Sequence, residues 1–264
     1  MMMSEQEQKN LIYEIFDPSL PRLGPGDEAS TTKALHTLLS AVFPGEDSSR
    51  SGKLRILDIG CGNGAQTIPL ARHTRGTILA VDNHQPYLDE LQRRAEAEGV
   101  SDRVRPCLGD MRDLELNQEA FDIIWSEGAL YVMGFREGLA ACRRLLAPRG
   151  ALAATELSWL KPDPPDACRT FFADEYPVMA DVETNLATIK TCEYDVLGHF
   201  ALPESAWWNG YYHPLEERLR SIWKKYATDP EKLEVVESVQ VEIEWYRECS
   251  GYYGYVFYLM QRRP

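Results

Sequence analysis

The stretch Leu54-Arg55-Ile56-Leu57-Asp58-Ile59-Gly60-Cys61-Gly62-Asn63-Gly64 decides how this chain folds. Residues 54–60 form a short run of branched apolar side chains that ends in glycine, the pattern of a buried strand. Glycines at 60, 62 and 64 then allow a tight turn and a close approach of backbone to a ligand. Ala65 to His73 follows with helical spacing. Strand, glycine turn and helix together are the first half of a βαβ unit.

Further units follow in register. TILAVDN (77–83) reads as a strand and Gln85 to Glu98 as a helix stopped by Gly99. VRPCLGD (104–110) and FDIIWSEG (121–128) are the next strands. Phe135 to Leu146 reads as a helix ended by Pro148-Arg149-Gly150, and ALAATEL (151–157) as a fifth strand. Alternation at this spacing implies parallel strands joined by right-handed helical crossovers. The expected fold is therefore α/β: a doubly wound, mostly parallel sheet of about seven strands, helices on both faces, the last strand antiparallel.

The flanks are less regular. Residues 1–50 form an N-terminal cover segment broken at Pro18, Pro21, Gly24-Pro25-Gly26 and Pro44-Gly45, with one helix over Thr31–Val42 capped from Ser30, Thr31 or Thr32. Residues 51–264 are the main domain, and 158–226 supply a cap over the active-site edge. The prolines at 162, 164, 165 and 177 make 158–180 irregular, with a single helical turn. Residues 182–192 read as helix, 194–202 as strand, and the segment after Ala206 as a helix inward at Leu215, Leu219, Ile222, Trp223 and Tyr226. A second helix is inward at Leu233, Val236, Val239, Ile243 and Tyr246, its six glutamates outward, and 252–261 closes the chain as a strand. Gly24, Gly26 and the 162–177 prolines are hinge candidates should the cover open.

Composition narrows the function. The 264 residues carry 28 Lys+Arg against 41 Asp+Glu, a formal charge of −13, and no long basic cluster, so a nucleic-acid partner is not expected. The longest near-apolar run, 252–260, falls far short of the roughly 20 residues a spanning helix needs. MMMSEQEQKN has neither a basic nor an apolar region of a secretory signal. The six cysteines are scattered without a CxxC pair, which predicts reduced thiols, a cytoplasmic location and no metal centre.

Two cofactors use such a glycine turn. Gly60, Gly62 and Ala65 satisfy the dinucleotide pattern, with Asp82 at the next strand end. Asp58 favours the other cofactor: at a strand's carboxyl end it would repel a pyrophosphate and attract a sulfonium and an ammonium.

DIGCGNG, the acidic strand end in VDN, GDM, FDIIWSEGALY and LAPRGALAATE, in this order, resemble the class I S-adenosylmethionine-dependent methyltransferases, closely over residues 54–157 and in element order alone beyond. PRLGPGDEAST resembles a lead-in of small-molecule enzymes of that class. The resemblance implies a Rossmann-like sheet and S-adenosylmethionine as cofactor. It places Asp58, Gly60, Gly62, Asn63 and Gly64 at the methionine end, Asp82 on the ribose hydroxyls, and Asn83, Asp110 and Met111 around the adenine. Ser126 is expected among the cofactor-binding residues and falls, with Glu127 and Tyr131, at the substrate-facing edge.

The expected substrate wall is aromatic: Trp159, Phe171, Phe172, Trp207, Trp208, Tyr211 and Tyr212, of which Trp159, Trp208 and Tyr212, with Glu127 and Tyr131, are the substrate-binding candidates. Beside Glu127 or Glu156 such a wall suits a cationic amine; it suits a flat aromatic equally. Glu127, Tyr131 and His199 are the candidates for acid–base work, and His213 reads as structural. In-line methyl displacement at an N, O, S or C nucleophile needs positioning more than a dedicated base. Two alternatives stand beside a small-molecule methyltransferase. One is an NAD(P)-dependent oxidoreductase, for which no Tyr-x-x-x-Lys pair is present among Tyr13, Tyr87, Tyr131, Tyr176 and Tyr194. The other is a non-catalytic cofactor-binding protein of the same fold. A homo-oligomer is compatible with any of them.

Overall fold

The computed structural model describes residues 3–42, 54–114 and 116–264. The Pro44-Gly45 break and the expected domain start at residue 51 lie outside the described residues. Strands β1 (Arg55–Ile59), β2 (Thr77–Asp82), β3 (Val104–Leu108), β4 (Phe121–Ser126), β5 (Leu146–Trp159), β6 (Ala180–Asp181), β7 (Tyr194–Ala201) and β8 (Tyr253–Arg262) form one sheet. Their order is β3-β2-β1-β4-β5-β8-β7, with the two-residue β6 on β5. β1 to β5 run parallel, and β8 is antiparallel to both β5 and β7. The sheet thus holds eight strands where about seven are expected, because Ser158 and Trp159 extend β5 far enough to pair with Ala180 and Asp181.

Helices α2 (Glu28–Val42), α3 (Thr67–His73) and α4 (Gln85–Ala97) bury Ala34, Leu35, Leu38, Ile68, Leu88 and Leu91 against one face. Helices α5 (Phe135–Leu145) and α7 (Val182–Thr191) bury Leu139, Cys142 and Ile189 against the other. Each face contributes the alternate side chains of the same strands, as a doubly wound sheet requires.

A third cluster lies over the carboxyl ends of the strands. It joins α1 (Glu5–Ile15), α6 (Asp166–Glu175), the short α8 (Ser205–Trp207), α9 (His213–Lys225), α10 (Pro230–Cys249) and Tyr253 through Leu11, Ile15, Phe172, Trp207, Leu215, Ile243 and Tyr246. β5 and β8 carry it. Their pairing continues from Thr155↔Phe257 to Trp159↔Tyr253, past the last β4 partner at Ala154. Five residues at 3.3–3.4 Å each project about 17 Å beyond the sheet edge.

Four local expectations change. α1 goes unread in the sequence although Ser4 and Glu7 cap each other at its start, Ser4 N donating to Glu7 Oε2 at 2.9 Å and Glu7 N to Ser4 Oγ at 3.3 Å. α2 begins at Glu28 because Asp27 accepts from Ser30 N at 2.6 Å, so Ser30, Thr31 and Thr32 lie inside the helix. The stretch 158–180 holds a ten-residue helix, α6, started after Pro165, where proline costs no hydrogen bond. The cover is also differently composed: α10 belongs to it, whereas α2 and β7, placed in the cover by the sequence, lie on the sheet face and in the sheet. Among the described residues no helix is long and apolar enough to cross a membrane.

Candidate functional site

The β1–α3 turn sits where the strand order reverses between β1 and β4, the position at which open α/β sheets bind ligands. Gly60 N and Cys61 N donate to Val81 O at 2.9 and 3.0 Å, which seats the turn against the end of β2. Gly60 has φ +70°, and a Cβ there would stand 2.3 Å from Ala129 Cβ. No side chain fits between this turn and the loop after β4.

Around it lies a cavity of about 890 Å³ between the strand ends and the cover. That is near the top of the roughly 300–1,000 Å³ of small-molecule sites, room for a cofactor and an acceptor together. One half is walled by Gly60, Gly62, Gln66, Asp82, Asn83, Asp110 and Met111. In it, Asp82 Oδ2 accepts from Gly62 N at 2.9 Å and Oδ1 from His84 N at 3.0 Å. Burial raises the Asp82 carboxyl above its ordinary range, and those backbone donors oppose the rise. Asp110 is exposed, and its carboxyl is held below the usual range by the Arg112 backbone N–H.

α1 closes this half from above. Tyr13 stacks on His84 at 3.6 Å, and Tyr87 Oη donates to Phe16 O at 2.7 Å. Asn63, although on the cavity wall, spends its amide on the lead-in: Nδ2 donates to Pro18 O at 3.0 Å and Leu20 O at 2.7 Å.

Glu127 joins the lead-in to the sheet. Oε2 takes Arg22 Nη2 at 2.6 Å, while Oε1 takes Thr31 Oγ1 at 2.7 Å and Trp125 Nε1 at 2.9 Å. The side chains of Arg22 and Glu127 are 10% and 2% exposed. Glu127 reaches the cavity wall held by these three donors, so a tie between lead-in and sheet stands beside its expected roles in catalysis and substrate binding.

The other half of the cavity is aromatic, walled by Tyr131, Phe171, Phe172, Tyr176, Trp207, Tyr211, Tyr212, Tyr253 and Tyr255, with Glu175 and Glu242 as its carboxylates. Tyr212 Oη donates to Glu242 Oε1 at 3.0 Å. Burial raises the Glu242 carboxyl. Tyr131, 48% exposed, stands at the mouth with its ring edge toward Tyr176.

Six further expectations are corrected. Asp58 is fully buried and absent from the cavity wall. It accepts from Thr67 Oγ1 at 2.6 Å and Gln66 Nε2 at 3.2 Å, and burial pushes its carboxyl up to about 7. It therefore positions Gln66 and the start of α3 from beneath. Gly64 faces away, toward Leu91, where its φ of +86° completes the turn. Ser126 is buried and donates to Ile59 O at 3.0 Å. Trp159 packs its edge on Phe172 and Tyr253 outside the cavity. Trp208 packs on Tyr246 with Arg247 over its ring at 5.0 Å, also outside. His199 lies on the edge strand β7 beside Tyr258 and is not among the residues that wall the cavity, against its expected part in acid–base work.

Sequence reasoning missed Arg22, Gln66, Glu175 and Glu242 as wall residues. For Arg22 the signal was present in PRLGPGDEAST. Glu156, expected beside the aromatic wall, lies behind Tyr176, which donates to its Oε1; burial raises its carboxyl to about 7.

Known proteins resemble this chain in sequence and in fold. The family model for a methyltransferase domain matches residues 56–150. The chain is 30% identical over 145 residues to the 27-O-demethylrifamycin SV methyltransferase of Amycolatopsis mediterranei, covering 54% of this chain and 53% of that protein. It is 31% identical over 104 residues to the methyltransferase GfsG of Streptomyces halstedii, covering 39% and 37%. It thus spans about half or less of the length of these relatives. The solved S-adenosylhomocysteine complex of an S-adenosylmethionine-dependent methyltransferase from Geobacter sulfurreducens shares the fold, with a TM-score of 0.78 at 21% identity over 100% of both chains.

Proposed function

We propose that this chain, which carries the class I S-adenosylmethionine-dependent methyltransferase domain over residues 56–150, transfers a methyl group to a small-molecule nucleophile held in the aromatic half of the cavity. The observation that carries the reading is the charge of the cofactor half. Asp82 and Asp110 line it, and Arg22, the one cationic side chain on the cavity wall among the described residues, is bound to Glu127 at 2.6 Å. Asp82 would serve the ribose of a dinucleotide equally well, but a pyrophosphate would also meet Asp110 with no free cation on the wall. A nucleoside that bears a sulfonium and an ammonium meets complementary charge. The antiparallel β8 between β5 and β7 supports the same choice, because the dinucleotide fold continues its strand order without one.

The residues present fit S-adenosylmethionine. Each Asp82 oxygen has one backbone donor and an acceptor direction left for an adjacent ribose hydroxyl. Gly60 and Gly62 line the cavity beside Asp82, and Met111 and Asn83 offer an apolar and a polar contact at the β3 and β2 tips. Bound there, the cofactor supplies an electrophilic methyl on sulfur. The chain's own work is positioning and exclusion of water: α1 and the Arg22–Glu127 pair close one half, and the aromatic rings surround the acceptor. Cysteines that are all free thiols suit a cytoplasmic location, and the net charge of −13 suits a small-molecule rather than a nucleic-acid substrate.

Incubation with methyl-labelled S-adenosylmethionine and separate panels of amines, phenols and thiols tests the reading. Release of S-adenosylhomocysteine that depends on one panel, with label in its product, is expected. Binding of the cofactor with no release from any panel would favour a non-catalytic binding protein.

A further inference from the structure

Resting on the methyl-transfer reading of the same cavity, we infer that its aromatic half recognises a cationic amine with an apolar body, seated on Glu242. Glu242 projects from α10 between Val239 and Ile243, which pack into the cover, and Tyr212 Oη is its one hydrogen-bond partner among the described residues. Glu175 shares the cavity wall and has no ion-pair partner among the described residues. The two carboxylates sense each other, since the Glu175 charge adds to what burial does to the Glu242 carboxyl. Like charges facing one enclosed space repel, and a cation between them relieves the repulsion.

The remaining wall points the same way. Phe171, Tyr176, Trp207, Tyr253 and Tyr255 present ring surface, which attracts an ammonium and accepts its alkyl groups. Arg22, the wall's one cation among the described residues, is engaged by Glu127. An anionic guest would therefore face uncompensated carboxylates. A neutral aromatic guest would fill the space yet strip water from Glu242 without replacing it. At the mouth Tyr131, Val132 and Val241 are 48%, 39% and 41% exposed, an apolar entrance that suits a guest with an apolar body.

Transfer to nitrogen is consistent with this wall. The ammonium proton passes to a wall carboxylate and on to water, leaving the nitrogen lone pair free. The N–C bond forms as the C–S bond breaks, its electron pair staying on sulfur. The product amine is again a cation when protonated, so it meets the same charge complementarity.

The test is calorimetric titration of the full chain with benzyltrimethylammonium, benzyl alcohol and benzoate, with and without saturating S-adenosylhomocysteine. The inference expects the cation to bind at least about tenfold more tightly than the alcohol, with benzoate weakest. Glu242→Gln is expected to remove most of that preference while S-adenosylhomocysteine affinity stays within about threefold, which also shows that the variant folds. Equal affinity for cation and alcohol in the wild type overturns the inference, as does a Gln variant that keeps the full preference. The wild-type comparison decides even if the variant does not fold. Failure to bind S-adenosylhomocysteine at all would sink the methyl-transfer reading instead, and the titrations without it still judge the cation site.

Discussion

Replacing Asp82 by Asn probes the cofactor half with the least change of shape. In the wild type each carboxylate oxygen has one backbone donor, Gly62 N at 2.9 Å and His84 N at 3.0 Å, and one direction left over. The proposed complex fills those two directions with ribose hydroxyls. Asparagine keeps one acceptor and places an amide N–H₂ where the other stood, facing donors. A hydrogen bond to a charged group contributes about 1.5–3 kcal/mol, so the loss of one weakens binding about 10- to 150-fold. The unliganded protein is expected to change much less. Burial already disfavours the Asp82 charge, and the neutral amide escapes that cost while losing one backbone contact. Titration calorimetry with S-adenosylhomocysteine, beside a melting curve of the free protein, separates the two effects. An affinity within about threefold of wild type would refute the ribose assignment. So would an affinity loss matched by an equal loss of stability in the free protein.

Other perturbations test other parts. Asp58 has its carboxyl raised to about 7, so the folded state binds its proton more tightly than the unfolded state does. Stability tied to this group is present at low pH and declines as pH rises from its ordinary value near 4 to about 7. Asp58→Asn keeps bonds to Gln66 and Thr67 without a charge, so its melting temperature should gain on wild type between pH 5 and pH 8, by some 2–4 °C for each kcal/mol. A difference that does not move with pH would contradict the buried-charge account. Arg22→Met leaves the buried Glu127 without its counter-ion, expected to cost about 3–5 kcal/mol, whereas Arg22→Met combined with Glu127→Gln should cost less than Arg22→Met or Glu127→Gln alone; denaturant unfolding compares the three, and additive losses would argue against coupling. Gly60→Ala combines φ +70° with a contact at 2.3 Å and should abolish cofactor binding even where the chain folds. His199→Ala should leave turnover within about threefold; a hundredfold loss would restore it as a catalytic group.

The sheet core was legible because strand and crossover leave periodic marks: the run 54–60, the glycine turn and the acidic end at Asp82 needed no knowledge of distant residues. Asp58 misled for a geometric reason. A residue at the end of a strand can point along the turn or beneath it, and Thr67 and Gln66, which draw it beneath, are only weakly suggestive in sequence. Glu242 misled through periodicity. With Val239, Ile243 and Tyr246 inward, a glutamate beside them reads as solvent-facing, yet the solvent on that side is the cavity. Among the aromatics, Trp159 and Trp208 were indistinguishable by composition from Tyr211 and Tyr253. The projection of β5 and β8 past the sheet edge decides which rings meet the cavity, and that register is a tertiary property.

The central claim is that an acidic nucleotide cleft beside an aromatic cavity takes S-adenosylmethionine. Melting curves with S-adenosylmethionine, S-adenosylhomocysteine, NAD and NADP, each at the same concentration, test it most directly. A ligand at 100 times its dissociation constant adds about 2.7 kcal/mol, some 5–10 °C for a chain of this size. The account predicts that rise with the two methionine-derived ligands and none with NAD or NADP. A rise with either dinucleotide, and none with S-adenosylhomocysteine, would contradict it.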